Sequence, residues 1–438
     1  MPDRRTILIG DVDGEFLANP YPFYAGLRRE APVHPVKLNG LETWLVTRYG
    51  DAYAALADRR LSKDPRSAGE ALRQAGIVVD GDERSVGFGP NMLMSDPPDH
   101  TRLRRLVLKA FTPRRVELLR PRVQEIADDL LDAVAPSGRA DLVEDFAFPL
   151  PVTVICELLG VPVRDRNDFR AWTTAMLTSP GTPEARAVKA TGFQSLQRYF
   201  TELVGRRRPE VRVDLPDDEQ PDLVSALIAA NDHGGRLDEE ELIGMLTLLL
   251  VAGHETTVNL IGNGTLALLQ HPDQLELLRA RPELLPWAVE EALRYDAPVQ
   301  RATLRIATED VVIGGVVVPA GSVVVVVIGS ADRDPDRFDD PDRFDIQRAD
   351  NPHVAFGRGI HFCLGASLAR IEGQIAIGTL LRRLAGIVLD AAPDQLQWHG
   401  GFLRGLASLP VRFVGSQQGP RGADLSARRA NRPAAAGR

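Results

Sequence analysis

Residues 356–365 read Phe356-Gly357-Arg358-Gly359-Ile360-His361-Phe362-Cys363-Leu364-Gly365. One of the chain's two cysteines stands here among three glycines, directly before an apolar segment, Leu364 to Leu384. In that segment Leu368, Ile371, Ile375 and Leu380 recur at helical spacing. Glycine has no Cβ, so backbone built from it can approach a bulky ligand closely. A cysteine at a helix start has its thiolate favoured by free N–H groups and by the helix dipole. A glycine loop that presents a thiolate to something large and flat is the picture of a haem site.

Bulk properties agree with a soluble enzyme. The chain has 438 residues, 44% of them hydrophobic and 26% charged, enough to bury a large core. A net charge of -8 gives no support to nucleic-acid binding, which shows a basic excess. Two cysteines cannot build a disulfide framework, and no set of four zinc ligands assembles. The start, MPDRRTILIGDVDGEF, has no sustained apolar run before Asp11 and does not read as a signal peptide. The apolar run Leu242 to Gly253 is shorter than the roughly 20 residues a membrane span needs. These features predict a cytoplasmic protein without membrane or nucleic-acid partner.

The pattern along the chain is mostly helical, with strands near both ends. Asn19 to Arg29 reads as an entry helix, and Val33 to Leu38 and Thr43 to Thr47 as strands joined through Asn39-Gly40, a hairpin signal. A helix is expected from Tyr49 to Ala57, and a long loop over Leu61 to Gly89 with a short helix at Ala68 to Gln74. Segments near 98–110, 114–135, 148–160, 164–178 and 184–206 carry apolar residues at helical spacing, and Arg206 to Glu219 is a charged connection. Leu237 to Gln270 predicts one long helix with Asp238 as N-cap, about 50 Å in length at 1.5 Å per residue. It ends at His271-Pro272, and another helix follows from Pro286 to Tyr295. Strand signals stand at Arg301 to Ile306, Val311 to Val318 and Ser322 to Val327, with turns at Gly314-Gly315 and Pro319-Ala320-Gly321. The segment from Gly415 lacks apolar period and reads as a disordered tail. The expected class is mainly α with small β-sheets (α+β), arranged as an arm over 1–18, one domain over 19–414 and a tail over 415–438.

Phe356, Gly357, Gly359, His361, Cys363 and Gly365 match Phe-Gly-x-Gly-x-His-x-Cys-x-Gly. Three further motifs stand in order before it: Ala252-Gly253-His254-Glu255-Thr256-Thr257 within the long helix, Glu291-Ala292-Leu293-Arg294, and Asp99-His100-Thr101-Arg102-Leu103-Arg104-Arg105. On these residues the chain, from about Asn19 to Phe413, resembles the cytochrome P450 family, and its soluble bacterial members in particular. The resemblance implies the P450 fold, a triangular prism with the long helix over the haem, and haem b (iron protoporphyrin IX) as cofactor.

It also implies roles. Cys363 would be the axial ligand of the haem iron, with Gly365 near the sulfur, Phe356 shielding the thiolate side and Gly357 among the cofactor-binding residues of the loop. His100, Arg104, Arg305 and His361 would meet the haem propionates. Ala252 and Gly253 would open a groove in the long helix, where Thr256 would hydrogen-bond dioxygen and Glu255 would relay protons. Glu291 and Arg294 would form a structural clamp, completed by Arg343 or another arginine. His254 is expected to face neighbouring structure, and Cys156 to be a buried, inert thiol. Basic residues Arg102, Arg105, Lys109, Arg114 and Arg358 would make a docking face for an acidic ferredoxin.

The expected reaction is monooxygenation: O2 and two electrons in, a hydroxylated or epoxidised product and water out. Electrons would come from a ferredoxin and its reductase, with the enzyme a monomer. LLLVAGHETTVNLI and NMLMSDPPDHTRLRRL resemble most the P450s that tailor macrolides and other polyketides in antibiotic biosynthesis. Ala297, Pro298 and Ala302 would leave room for a large substrate, and Asp80, Asp82 and Glu83 could meet a basic sugar. Steroid-like, terpenoid or xenobiotic substrates stay open. So do a peroxide-driven peroxygenase, a non-catalytic haem protein and a Cys/His hydrolase built on Cys363 and His361.

Overall fold

The computed structural model of the chain describes residues 14–38, 41–68, 88–177, 183–212, 214–216, 219–232 and 237–415. The helices are α1 (Gly14–Ala18), α2 (Tyr21–Glu30), α3 (Tyr49–Ala55), α4 (Asp99–Ala110), α5 (Pro113–Leu118), α6 (Arg120–Val134), α7 (Pro149–Leu159) and α8 (Arg166–Leu177). They continue with α9 (Pro183–Arg207), α10 (Leu223–Asp232), α11 (Glu239–Gln270), α12 (Pro272–Ala280), α13 (Leu285–Tyr295), α14 (Ile328–Ala331) and α15 (Ala366–Arg383).

Helix α11 is the axle. Asp238 accepts the Glu241 N–H at 2.7 Å while Glu241 accepts the Asp238 N–H at 3.1 Å, so a capping box starts the helix where the sequence places it. Three glutamates in the first turn suit the positive end of the dipole. Thirty-two residues run without a break to Gln270. By length and composition this helix could cross a membrane, yet 67% of its most apolar window is buried inside the protein. α7, α9, α13 and α15 pack around it. Gly253 is the point of closest approach: a Cβ there would lie 2.8 Å from the Ile155 side chain on α7. The helix is continuous through Gly253, whose missing Cβ serves this helix–helix contact.

The strands pair far across the chain. β1 (Val33–Leu38) and β2 (Leu41–Val46) form the predicted hairpin, Val33 opposite Val46. β2 then pairs in parallel with β8 (Val323–Val326), which pairs with β5 (Arg305–Ala307), and β5 with β3 (Leu61–Ser62), giving the order β1-β2-β8-β5-β3. β4 (Arg139–Asp141), β12 (Pro410–Arg412) and β9 (Val388–Leu389) make a second sheet in the order β4-β12-β9. β6 (Val311–Ile313) with β7 (Val316–Val318), and β10 (Trp398–His399) with β11 (Gly405–Leu406), are two-stranded.

Several boundaries differ from the sequence reading. The predicted helix over 114–135 is two helices, α5 and α6. The turn expected at Gly314-Gly315 within Val311 to Val318 forms, both glycines at positive φ, and splits the stretch into the paired strands β6 and β7. α10, LVSALIAAND, was not foreseen: its described side chains are almost all buried, so it shows no amphipathic period. His271-Pro272 ends α11 but Pro272 also opens α12, since proline is tolerated at a first helical position. Residues 14–18 of the expected arm are helical and docked, their Ala18 carbonyl accepting from Arg404 Nη2 at 2.9 Å. The short helix expected through Gln74, the Asn39-Gly40 turn, Asp80, Asp82, Glu83 and the tail beyond 415 lie outside the described residues.

Asp332, just after α14, holds the approach to the cysteine loop by accepting the Val354 N–H at 2.8 Å. Burial pushes its carboxyl up to about 7, against opposing pulls from His353 and Arg294. The folded chain thus keeps a proton that the unfolded chain releases above the ordinary value of 3.8. The stability contributed by this protonation is full below that value and is lost as pH rises through about 7. Asp332→Asn, which imitates the protonated form, should gain stability relative to the parent by up to about 4 kcal/mol between acid and weakly basic pH. Urea titrations across that range check it; a constant difference would contradict it.

Candidate functional site

The cysteine loop is shaped by its glycines. Gly357 and Gly359 have φ of 70° and 74°. A Cβ on Gly359 would also sit 3.0 Å from the Ala57 backbone. The Cys363 N–H donates to the Phe356 carbonyl at 2.9 Å and Phe362 N–H to Gly359 at 3.1 Å, which turns the loop back before α15 begins. Cys363 is exposed, and Phe362 beside it is 42% accessible. Surrounding protein nevertheless raises the thiol's pKa by desolvation, while the Gly365 N–H, Arg104 and Arg370 act the other way. A thiol that is accessible yet walled in, with donors aimed at it, suits coordination to a metal, which takes the thiolate outright.

A brace the sequence did not announce stands behind this loop. Arg370 on α15 lies 4.5 Å over the Phe356 ring and donates twice, at 2.7 Å each, to Glu290 on α13. His353 reaches the same carboxylate at 3.1 Å. Burial alone would raise Glu290, but the Arg370 and His353 hydrogen bonds bring it down to about 2. Glu290 neighbours the recognised Glu291, and nothing local separates it from a surface acid.

His100, Arg104, Arg305 and His361, spread over 262 positions of sequence, come together. The His100 and His361 rings lie 4.5 Å apart. Arg104 Nη2 donates to the Phe362 carbonyl at 2.7 Å. Both ring nitrogens of His100, Nε2 of His361 and Nε of Arg305 are buried without a hydrogen-bond partner. Burial pushes His361 down to about 2, with Lys63, His100, Arg305 and Arg104 adding to the push, and lowers Arg305 to about 10. Lys63, not foreseen, joins them: it is buried, its Nζ donating to Thr303 Oγ1 and to the Leu304 carbonyl at 2.9 Å. Burial first, then Arg305, pulls its pKa well down. No ion pair neutralises any of the five among the described residues. Buried cations and orphaned donors are costly without an anion. The set therefore fits a ligand carrying carboxylates, as the haem propionates are, beside a thiolate donor.

Between its accessible ends α11 is mostly buried, but Leu249, Ala252, Gly253 and Thr256 keep accessible surface. Their spacing of three and four places them on one stripe. Thr256 Oγ1 donates back to the Ala252 carbonyl at 3.1 Å. Glu255 is partly buried at the edge of the stripe. His254 points away, fully buried, as expected.

The Glu291–Arg294 pair is buried and bidentate, at 2.8 Å for each contact. Arg294 also donates to the carbonyls of Asp332 (3.0 Å), Pro341 (2.7 Å) and Arg343 (3.0 Å). The arginine that completes the clamp is Arg348, 3.3 Å from Glu291. Arg343 offers only its carbonyl, its side chain being 62% exposed. Two other expectations change. Arg102 is paired with Glu241 at 2.5 Å and Asp99 at 3.0 Å, so it is not a bare member of a basic face. Ala297 and Pro298 are buried in the core, leaving Ala302 and Thr303 as partly accessible neighbours of Arg305.

Arg305→Met should weaken haem retention by roughly tenfold or more, since one buried charge-assisted contact is worth about 1.5–3 kcal/mol. Transfer of haem to apomyoglobin measures it.

Residues 62–406 match the model of the family described as "Cytochrome P450". Cytochrome P450 107B1 of Saccharopolyspora erythraea is 51% identical over 405 residues, 91% of this chain and 96% of that one. The 6-deoxyerythronolide B hydroxylase of the same organism is 46% identical, covering 90% and 96%. Among solved structures, the tirandamycin C-bound P450 monooxygenase TamI superposes with a TM-score of 0.82 at 42% identity, covering 92% of this chain and 99% of that one.

Proposed function

This chain belongs to the cytochrome P450 family, and from that premise we propose that it hydroxylates or epoxidises a macrolide or other polyketide. Its cofactor is haem b and its reaction class is monooxygenation. The accessible stripe of small and apolar groups on α11 carries the substrate reading. It gives a bulky, apolar molecule a wall at Leu249 and Ala252. The resemblance to a 6-deoxyerythronolide B hydroxylase and to a tirandamycin-bound enzyme supports the same class.

When bound, haem supplies the activation of O2 for insertion of one oxygen atom. The chain does the rest. Cys363 would hold the iron through its thiolate, with the Gly365 N–H tempering its charge. His100, Arg104, Arg305, His361 and Lys63 hold the carboxylates, which would relieve the uncompensated cations described above. Thr256 turns its hydroxyl from the Ala252 carbonyl toward the accessible side to orient a water, and Glu255 carries protons to it. Leu249 and Ala252 exclude bulk water from the reacting carbon. Electrons come from a ferredoxin and its reductase in the cytoplasm, docking near Arg105 and Arg114, both exposed.

The test is a panel of macrolactones, linear polyketides, steroids and fatty acids, screened by substrate-induced change in the ferric haem spectrum. Turnover with a surrogate ferredoxin pair then identifies products by mass. Binding and single-oxygen insertion for macrolactones is expected. Turnover confined to steroids or fatty acids would overturn the substrate class, and turnover with H2O2 but not with reductase and O2 would overturn the monooxygenase route.

A further inference from the structure

His254 on α11 is fully buried and meets Thr173 of α8, and its two ring nitrogens face different chemistry. Nδ1 lies 2.8 Å from the Leu250 carbonyl, an acceptor only, so Nδ1 carries hydrogen. Nε2 lies 3.3 Å from Thr173 Oγ1 on α8 and 3.7 Å from the Glu255 carboxylate. The Thr173 hydroxyl has a single hydrogen and three acceptors within reach. It can donate to the carbonyls of its own helix, Phe169 at 2.8 Å or Arg170 at 3.3 Å, or turn to Nε2.

Two proton arrangements satisfy this geometry. With His254 neutral, the Thr173 hydroxyl donates to Nε2, and Glu255 has no donor on that side. With a proton added at Nε2, the imidazolium donates to Thr173 Oγ1 and attracts Glu255, while the Thr173 hydroxyl returns to Phe169. We propose that His254 is a positioning residue that switches Glu255 between a held and a released state and ties that choice to the hydrogen bond it shares with Thr173 of α8. This rests on Glu255 being the proton carrier of the pocket.

The surroundings favour the released state at neutral pH. Burial lowers the His254 pKa, with Glu255 and the Leu250 carbonyl opposing. From the turn before α7, the Phe148 ring meets His254 edge-on at 6.2 Å. Arg170 of α8 lies 4.3 Å over that ring, already paired with Glu144 at 2.6 Å. From α7, Ile155 packs on Gly253, and Cys156 is neutral, its thiol pushed up to about 12 by burial. Glu255 is thus the one carboxylate within ion-pair distance of the ring among the described residues. Acidification loads Nε2 and withdraws Glu255 from proton delivery.

The test uses the haem-loaded protein in its diamagnetic ferrous carbonyl form, with 15N-labelled histidine and His254→Gln to assign the ring signals. Below neutral pH the His254 ring should pass from the Nδ1–H tautomer to imidazolium. In Glu255→Gln the midpoint should fall by about 0.5 pH unit or more, because the stabilising charge is gone. The infrared C–O stretch should change with pH at the same midpoint, and that change should vanish in His254→Gln. An unmoved midpoint in Glu255→Gln, a ring protonated only at Nε2, or a pH-dependent stretch that persists in His254→Gln would each overturn the switch. A carbonyl spectrum without thiolate character would instead overturn the haem-thiolate reading, and the ring titration would still decide the switch.

Discussion

Cys363→Ser is expected to abolish the thiolate-type spectrum of the CO-bound ferrous protein and to lower monooxygenase turnover by at least about 100-fold, roughly 2.7 kcal/mol of barrier. The reason is electronic. A thiolate pushes charge onto iron in a way that a serine oxygen does not. Haem should still enter, because His100, Arg104, Arg305 and Lys63 lie on other elements and His361, in the same loop, keeps its side chain. That separation makes the result readable: haem content stays measurable while the axial ligand is lost. Cys156→Ser is the control, since Cys156 is buried on α7 away from this loop, and its variant should keep the thiolate spectrum. A thiolate spectrum that survives in Cys363→Ser would show that the axial assignment is wrong.

The second large effect is structural. Arg294→Met should destabilise the folded protein by about 3–5 kcal/mol, because it leaves Glu291 as a buried, partly uncompensated charge. It also strips donors from three carbonyls, at Asp332, Pro341 and Arg343, and so loosens the path from α14 to the cysteine loop. Glu291 would keep the Asp345 N–H at 2.9 Å and Arg348 at 3.3 Å, so the loss stays short of complete unfolding. Stability of this order is a large part of the 5–15 kcal/mol a protein has. Urea denaturation followed by circular dichroism measures it, and haem content of the purified variant should fall in parallel. Adding Glu291→Leu to Arg294→Met removes both charges and should recover part of the loss. A double variant worse than the sum of the singles would contradict the buried-charge explanation.

Much of this architecture was legible in the amino-acid order because its signals are local. Asp238 followed by three glutamates marks a helix start wherever it occurs, and α11 begins there. The α15 apolar stripe at Leu368, Ile371, Ile375 and Leu380 is buried as its period requires. α10 escaped because a segment buried nearly all round has no polar face to mark its period. The parallel pairing of β2 with β8 escaped because it joins residues about 280 positions apart. At the site the same division holds. Arg348 rather than Arg343 completes the clamp, and Lys63 and Glu290 join the site, all through long-range packing that no short motif encodes.

By itself, then, the order of residues determined the chemistry on offer: a cysteine in a glycine loop, an acid and an alcohol in one long helix, and a set of histidines and arginines suited to carboxylates. Glycine, cysteine and capping residues write such information locally, because their backbone freedom or hydrogen bonding acts over a few residues. Only the tertiary structure decided which of these groups share a space and which charges go unpaired. Burial and distance are properties of the packed chain. The orphaned nitrogens of His100, His361 and Arg305, and the meeting of His254 with Thr173, exist only once helices and strands far apart in sequence have been driven together by the burial of their apolar faces.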